Sequence, residues 1–264
     1  MSELIMMASK GEELHMAVRA NNSKKVEYSL SQSVDMNVLF YGWTPLQLAI
    51  KLGFDEIAVL LIGNGCDFEF HDNKSLSPFE MALKKNQVMV IEKLLLKGID
   101  GCQLLSTAEP PLIYAVKKGK PLMVQTLINA NVEVNCCSSE GESPLYLACK
   151  EGSSDIVNTL ISAGADTDSV CLSSGLSPLM VACINENKEA MKVLITNGCD
   201  INAQDKDGWT ALWYAYSNRN ENLLRLLLKS GADKSIVTNE QKSVLEEAIQ
   251  NDEEEMIELL QKVY

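Results

Sequence analysis

A short motif recurs along this chain at an almost fixed interval, and it limits the fold more than any other feature. The second position of the motif falls at residues 45, 78, 111, 144, 178, 211 and 244, so successive copies stand 33 or 34 residues apart. The copies read Thr44-Pro45-Leu46-Gln47, Ser77-Pro78-Phe79-Glu80, Pro110-Pro111-Leu112-Ile113, Ser143-Pro144-Leu145-Tyr146, Ser177-Pro178-Leu179-Met180, Thr210-Ala211-Leu212-Trp213 and Ser243-Val244-Leu245-Glu246. Self-similarity at this period predicts stacked repeats that share one continuous core and present an extended binding surface.

The stretch 198–231 shows how one repeat is expected to fold. Asp, Asn and Gly crowd residues 198–209, which predicts a turn. Thr210 stands where a helix needs an N-cap, and most copies place Pro next, at the first helical position. A second helix is predicted from Asn222 to Lys229, and Gly231 is expected to end it in the left-handed conformation.

These residues resemble the signature of the ankyrin repeat family, Thr-Pro-Leu-His-x-Ala. The match is good at Thr44–Ala49, Ser143–Ala148 and Ser177–Ala182, degraded at Pro110–Ala115, and half-present at Leu14-His15-Met16-Ala17. The resemblance covers nearly the whole chain. It implies an all-α solenoid of helix–turn–helix repeats with finger-like turns, a concave inner face and no chemistry of its own. His15 falls on the motif's own histidine, which favours a structural role.

The motif divides the chain into about eight repeats within a single domain, residues 1–264. The predicted N-terminal cap is 1–41 and the C-terminal cap is 241–264. The central repeats are 42–74, 75–107, 108–140, 141–174, 175–207 and 208–240. Two stretches, 100–109 and 169–174, depart from the pattern, and either recognition or sequence drift explains them.

Charge and composition exclude several classes of function. The net charge is −13, and residues 133–264 carry −12 of it, with 10 Lys+Arg against 22 Asp+Glu. Non-specific nucleic-acid binding relies on Lys and Arg, so no nucleic-acid partner is expected. The start lacks a basic segment before its apolar residues, and no apolar run is long enough to span a bilayer, so no membrane insertion is expected. A cytoplasmic location is predicted, with the nucleus as the alternative.

The residues that carry chemistry are sparse. The chain has two histidines, His15 and His71, and its eight cysteines show no Cys-x-x-Cys pair. Cys66, Cys149, Cys183 and Cys199 occupy small-residue positions of the repeat, where thiols are expected to pack as small apolar groups. A phosphate-binding loop and a nucleophile elbow are missing from the sequence. We therefore expect no catalysis, no metal site and no cofactor.

A series of lysines marks one candidate binding surface. The position two after the repeated Ala holds Lys51, Lys84, Lys117 and Lys150, and Lys85 and Lys118 widen the series. Two interpretations stay open. The lysines complement the C-terminal ends of their helices, or they form a strip that attracts an acidic segment of a partner protein.

Large side chains near the motif mark a second candidate surface. The residue before the motif is Trp43, Leu76, Leu176 or Trp209, a position that in the ankyrin family points toward the inner face. Tyr146, Met180 and Trp213 lie nearby and complete the set of predicted partner contacts. Trp and Tyr often anchor interfaces, although packing between repeats is the alternative.

Two asparagines resemble a site of modification. Asn135 and Asn202 each lie eight residues after a leucine, as does the asparagine that is hydroxylated in some ankyrin repeats. The alternative is a turn asparagine whose side chain binds its own loop.

The sequence as a whole predicts a non-enzymatic adaptor that binds a partner protein through its concave face and finger loops. The alternatives are a substrate-receptor subunit of a ubiquitin ligase, and an inhibitor that masks a transcription factor or an enzyme.

Overall fold

The computed structural model describes residues 2–71 and 76–262, and the predicted boundary between residues 74 and 75 lies outside them. Within these residues the chain forms sixteen α-helices and no β-strand. Two isolated bridges, Phe40 with Trp43 and Val237 with Ser243, join the ends of turns. The predicted all-α class is confirmed.

The chain divides into two compact units. The first comprises Met1–Pro111 with Gln125–Val132, and the second Leu112–Val124 with Glu133–Tyr264. The helices of the first unit are α1 (Ser2–Arg19), α2 (Ser23–Ser31), α3 (Pro45–Leu52), α4 (Asp55–Gly63), α5 (Pro78–Lys85) and α6 (Val88–Leu96). Helices α7 (Pro111–Lys117) and α8 (Pro121–Asn129) contribute residues to both units.

The second unit repeats the same pairing of helices. Its helices are α9 (Pro144–Glu151), α10 (Ser154–Ser162), α11 (Pro178–Ile184), α12 (Lys188–Thr196), α13 (Ala211–Ser217), α14 (Glu221–Lys229), α15 (Val244–Gln250) and α16 (Glu254–Gln261). First helices pack on the next first helices, and second helices on the next second helices, as α9–α11–α13 and α10–α12 do. Within each unit, buried leucines and isoleucines therefore pack between successive repeats.

The Ser or Thr of the recurring motif caps six of the first helices. The hydroxyl oxygen accepts the backbone N–H three residues on, at 3.1–3.3 Å, which satisfies one of the unpaired donors of a helix start. The capping residues are Thr44, Ser77, Ser143, Ser177, Thr210 and Ser243. The N-cap predicted at Thr210 is confirmed.

Gly152, after α9, is required by both its conformation and its neighbour. Its φ of +74° lies in the left-handed region, and a Cβ at this position would stand 2.5 Å from Oδ1 of Asn187. The Asn187 amide needs that space because it donates hydrogen bonds to the carbonyl oxygens of Cys149 and Lys150, at 2.8 and 2.9 Å. This bond joins the end of α9 to the following repeat.

Side chains also tie the turns together. An acidic side chain at each turn accepts the backbone N–H two residues on, at 2.8–3.0 Å, at Asp35, Asp67, Asp100, Glu133, Asp166, Asp200 and Asp233. A second set of oxygens reaches the next repeat at 2.7–3.0 Å, in the pairs Asn37–Asp67, Asn135–Asp166, Asp168–Asp200 and Asn202–Asp233. Each of these bonds fixes the distance between two successive turns.

The cysteines follow the predicted packing with one difference. Cys66, Cys149 and Cys183 are buried, whereas Cys199 is half-buried at the edge of its turn. Burial raises the pKa of the Cys66 and Cys183 thiols to about 12. All eight cysteines lie within the described residues, and none forms a disulfide.

The burial of Cys149 leads to a first prediction. Its side chain is completely buried in α9, so Cys149→Leu should overpack the core and lower the free energy of unfolding by about 1–3 kcal/mol. Urea denaturation followed by circular dichroism measures the change. Cys102→Leu is the control, because Cys102 is exposed. Equal stability of the two variants would contradict the packing.

Candidate functional site

The first candidate site is a pocket of about 290 Å³ in the first unit. Its lining comes from α1, from the turn before α3 and from α3 itself, and includes Met16, Arg19, Tyr41, Trp43, Lys51 and Leu52. Tyr41 is 83% exposed and Met16 is 52% exposed. Apolar side chains that stay in water around a concave surface are typical of an interaction site.

His15 forms the floor of this pocket. It is buried, its Nε2–H donates to the carbonyl oxygen of Val38 at 2.7 Å, and its ring lies 5.5 Å from that of Phe40. Burial lowers the pKa of His15, which favours the neutral form of the ring. These contacts agree with the structural role expected from its position in the motif.

Trp43 and Lys51 meet at the rim of the pocket. The Lys51 ammonium lies 4.0 Å from the centre of the Trp43 ring, within the range of a cation–π contact. Trp43 is half-buried and Lys51 is exposed. Two residues from the two predicted surfaces thus belong to one site.

The remaining lysines of the series are exposed at the ends of first helices. Lys84 and Lys85 lie in the last turn of α5, Lys117 in that of α7 and Lys150 in that of α9. Lys118 follows α7, with its ammonium 5.6 Å from the Tyr114 ring centre. These positions place the positive charges where they complement the helix dipoles.

Two of these lysines pair with buried carboxylates. The Lys84 Nζ lies 2.8 Å from Glu80, and the Lys150 Nζ lies 3.1 Å from Glu142. Both glutamates are buried, so each lysine neutralises a charge inside its own repeat. The spacing of the lysines alone does not predict these ion pairs. The sequence feature that indicates them is a glutamate four residues before Lys84 and eight residues before Lys150.

The second candidate site is an aromatic wall in the second unit. Trp213 lies 5.5 Å from Trp209 and 6.2 Å from Tyr216, measured between ring centres. Asp205 holds Trp209 in place, because its Oδ1 accepts the Trp209 backbone N–H at 2.8 Å and its Oδ2 accepts the Tyr214 hydroxyl. Trp209 is half-buried, while Trp213 is 7% exposed.

The other predicted contact residues differ in how far they are buried. Leu76 and Leu176 are half-buried and therefore available to a partner. Tyr146 is buried, and Met180 is 1% exposed with its sulfur accepting the Ser177 backbone N–H. Met180 thus closes the cap of α11 from inside and offers a partner no surface, which corrects its assignment as a contact residue.

The two asparagines proposed for modification lie in turns. The Oδ1 atoms of Asn135 and Asn202 accept backbone N–H groups of the next repeat, at 3.0 and 2.8 Å. The side chains therefore bind the neighbouring turn, where the alternative expected them to bind their own loop. Hydroxylation of either residue stays a prediction.

The described residues, 2–71 and 76–262, contain neither a cluster of metal-ligating side chains nor a membrane-spanning helix. Groups of three or more His, Cys, Asp or Glu side chains that could hold a metal ion are not found there. In the same residues, none of the helices combines the length and the apolar character that crossing a membrane needs.

Comparison with known proteins gives a family and a fold. The family model described as ankyrin repeats (3 copies) matches residues 14–104, 81–171, 112–205 and 179–263. The crystal structure of the ankyrin repeat domain of Bcl-3, described as a unique member of the IkappaB protein family, is similar with a TM-score of 0.74 and 24% identity. The match covers 84% of this chain and 99% of that one, and it concerns the fold. The search of curated proteins finds no match.

The buried pair of Glu80 and Lys84 leads to a second prediction. Burial of Glu80 favours a raised pKa, but hydrogen bonds from Lys84 and Ser106 outweigh it, so the pKa falls below its ordinary value of 4.5. A carboxyl whose pKa is depressed by folding stabilises the fold above its unfolded pKa, and loses that contribution as the pH drops through the folded value. Glu80→Gln should therefore lower the free energy of unfolding by about 1–3 kcal/mol at neutral pH.

This difference between Glu80→Gln and the unchanged chain should shrink below pH 4.5. Urea denaturation across a pH series measures it. Glu189→Gln is the matched control, because Glu189 pairs with Lys192 at the surface and should change stability by less than about 1 kcal/mol. A difference for Glu80→Gln that is the same at every pH would argue against the ion pair as its cause.

Proposed function

The chain belongs to the ankyrin repeat family, and we propose that it works as a non-enzymatic adaptor that binds a partner protein through the pocket of its first unit. Ankyrin repeats generally mediate protein–protein interaction. The observation that supports this particular surface is the group of exposed apolar side chains around the pocket, above all Tyr41, Met16 and Leu52. Covering them removes apolar surface from water, which favours association.

The charges at the rim suggest what the partner presents. Arg19 and Lys51 line the pocket, and its lining contains no carboxylate. An apolar side chain would enter the pocket, and an acidic residue beside it would meet the two cations. We therefore propose a partner segment in which an apolar residue is flanked by Asp or Glu.

Secondary contacts with the partner are also proposed, at half-buried Leu76 and Leu176 and at the exposed Lys84, Lys85, Lys117, Lys118 and Lys150. Exposed ion pairs contribute about 0–1 kcal/mol each, so these lysines would influence the association rate more than the affinity.

We also propose a reducing compartment, the cytoplasm or the nucleus, because none of the eight cysteines is paired.

A third prediction tests the adaptor function. Tyr41→Ala in the full chain should abolish capture of the partner from a cell extract, or speed its dissociation about tenfold, because an exposed aromatic anchor is lost. Quantitative mass spectrometry of captured proteins, followed by surface plasmon resonance on the partner found, measures both. Tyr28→Ala is the control, since Tyr28 is also exposed but does not line the pocket.

The identity of the captured protein separates the alternatives. A cullin or an elongin would favour the ubiquitin-ligase receptor, and a transcription factor or an enzyme inhibited on binding would favour the masking inhibitor. A partner captured equally by Tyr41→Ala and Tyr28→Ala would contradict the proposed surface.

A further inference from the structure

A second pocket, of about 310 Å³, lies between α13 and α15 in the second unit. Trp209, Trp213 and Tyr216 form its aromatic wall. Its volume is at the lower end of that of ligand pockets, roughly 300–1,000 Å³, which suits a single side chain better than a large cofactor.

Carboxylates face this aromatic wall. Glu240, Glu247 and Glu253 line the pocket, and Arg219 is the basic residue in its lining, so these four side chains carry a formal charge of −2. Outside the lining, Lys242 lies 3.2 Å from Glu247. The pocket therefore combines three aromatic side chains with an excess of carboxylate.

The two carboxylate oxygens of Glu253 differ in their contacts. Its Oε1 lies 2.6 Å from the Arg219 guanidinium, which is 72% exposed and extends into water. Its Oε2 is buried and, within residues 2–71 and 76–262, accepts no hydrogen bond of ordinary geometry. The nearby Tyr216 hydroxyl faces the same carboxylate, since burial and Glu253 together raise the pKa of Tyr216. Asn251, whose amide donates to the Tyr216 hydroxyl at 3.3 Å, holds the adjoining wall.

These features select the charge of a ligand. An anion would be repelled by the carboxylates, and a neutral apolar side chain would bury Glu253 further without pairing its Oε2, which costs free energy. A cation is favoured in two ways, since it is attracted by the aromatic side chains and donates hydrogen bonds to carboxylate. Residues 133–264, with the charges of the pocket included, carry a net charge of −12 that attracts a cation from a distance.

We propose that this pocket binds the cationic side chain, lysine or arginine, of a basic segment in a partner protein. The ammonium or guanidinium group lies against Trp209 and Trp213 and donates to Oε2 of Glu253. This site goes beyond the adaptor function proposed for the first unit and does not depend on it, because it uses different residues and ligands of opposite charge.

The test uses the full chain labelled with ¹⁵N and the indole N–H signals of its three tryptophans. The probes are acetylated and amidated pentapeptides, Gly-Gly-X-Gly-Gly, in which X is arginine, lysine or the neutral isostere citrulline. At millimolar concentrations, as expected for one side chain, the arginine or the lysine peptide should shift the signals of Trp209 and Trp213. Trp43, in the first unit, should not respond.

Two glutamates that are neighbours in sequence provide the matched variants. Glu253→Gln should weaken binding of the cationic peptide at least about threefold, because a charge-assisted hydrogen bond is lost. Glu254→Gln makes the same change in charge at an exposed residue outside the lining and should bind as the unchanged chain does. The Tyr41→Ala variant should bind the cationic peptide as the unchanged chain does. A negative result for one pocket therefore leaves the proposal for the other pocket untouched.

Three results would overturn the proposal. The first is the absence of shifts at Trp209 and Trp213 with both cationic peptides. The second is an equal response to citrulline, which would show that the charge is irrelevant. The third is equal weakening by Glu253→Gln and Glu254→Gln, which would show that the total negative charge of the unit attracts the peptide and the pocket does not.

Discussion

Helix length is the constraint on which this structure depends. From α2 to α16 the helices run seven to nine residues, and helices this short are not stable in water by themselves. Each therefore needs a cap at its start and a neighbour along its apolar face. In six of the first helices the hydroxyl of the Ser or Thr in the motif supplies the cap, and packing against the adjacent helices covers the apolar face. The same repetition leaves turns and first-helix ends at the surface, where both pockets form.

The two pockets differ in the kind of ligand they suit, although both are built from the same part of a repeat. In the first unit, Lys51 lies against Trp43 and brings a positive charge to an aromatic rim. In the second unit, carboxylates take that place opposite Trp209 and Trp213. Trp43 and Trp209 occupy the same position before the motif, and the neighbouring charge decides what each of them attracts. One chain can thus present two chemically distinct recognition sites without any change of fold.

The sequence predicts backbone features of this protein better than its side-chain contacts. The cap at Thr210 and the end of the second helix near Gly231 follow from local chemistry, and both are found. The pairing of Lys84 with Glu80 could have been noticed, since the two lie one helical turn apart. The burial of Met180 could not have been noticed in the sequence, because residues from more than one helix decide whether a side chain in that position faces water. The pocket beside Glu253 could not be predicted from the sequence either, because its two walls come from successive repeats.

The bonds between successive turns have a consequence for how the protein ages. Spontaneous hydrolysis converts asparagine side chains in exposed turns to aspartate over the lifetime of a protein. At Asn202 the bond to the next repeat uses the amide as an acceptor, through Oδ1. Asp168 makes the same kind of bond to Asp200 with a carboxylate oxygen, at 2.7 Å. Conversion of Asn202 to aspartate would therefore leave an acceptor in place, and the spacing of the turns would survive chemical damage that adds a negative charge to the surface.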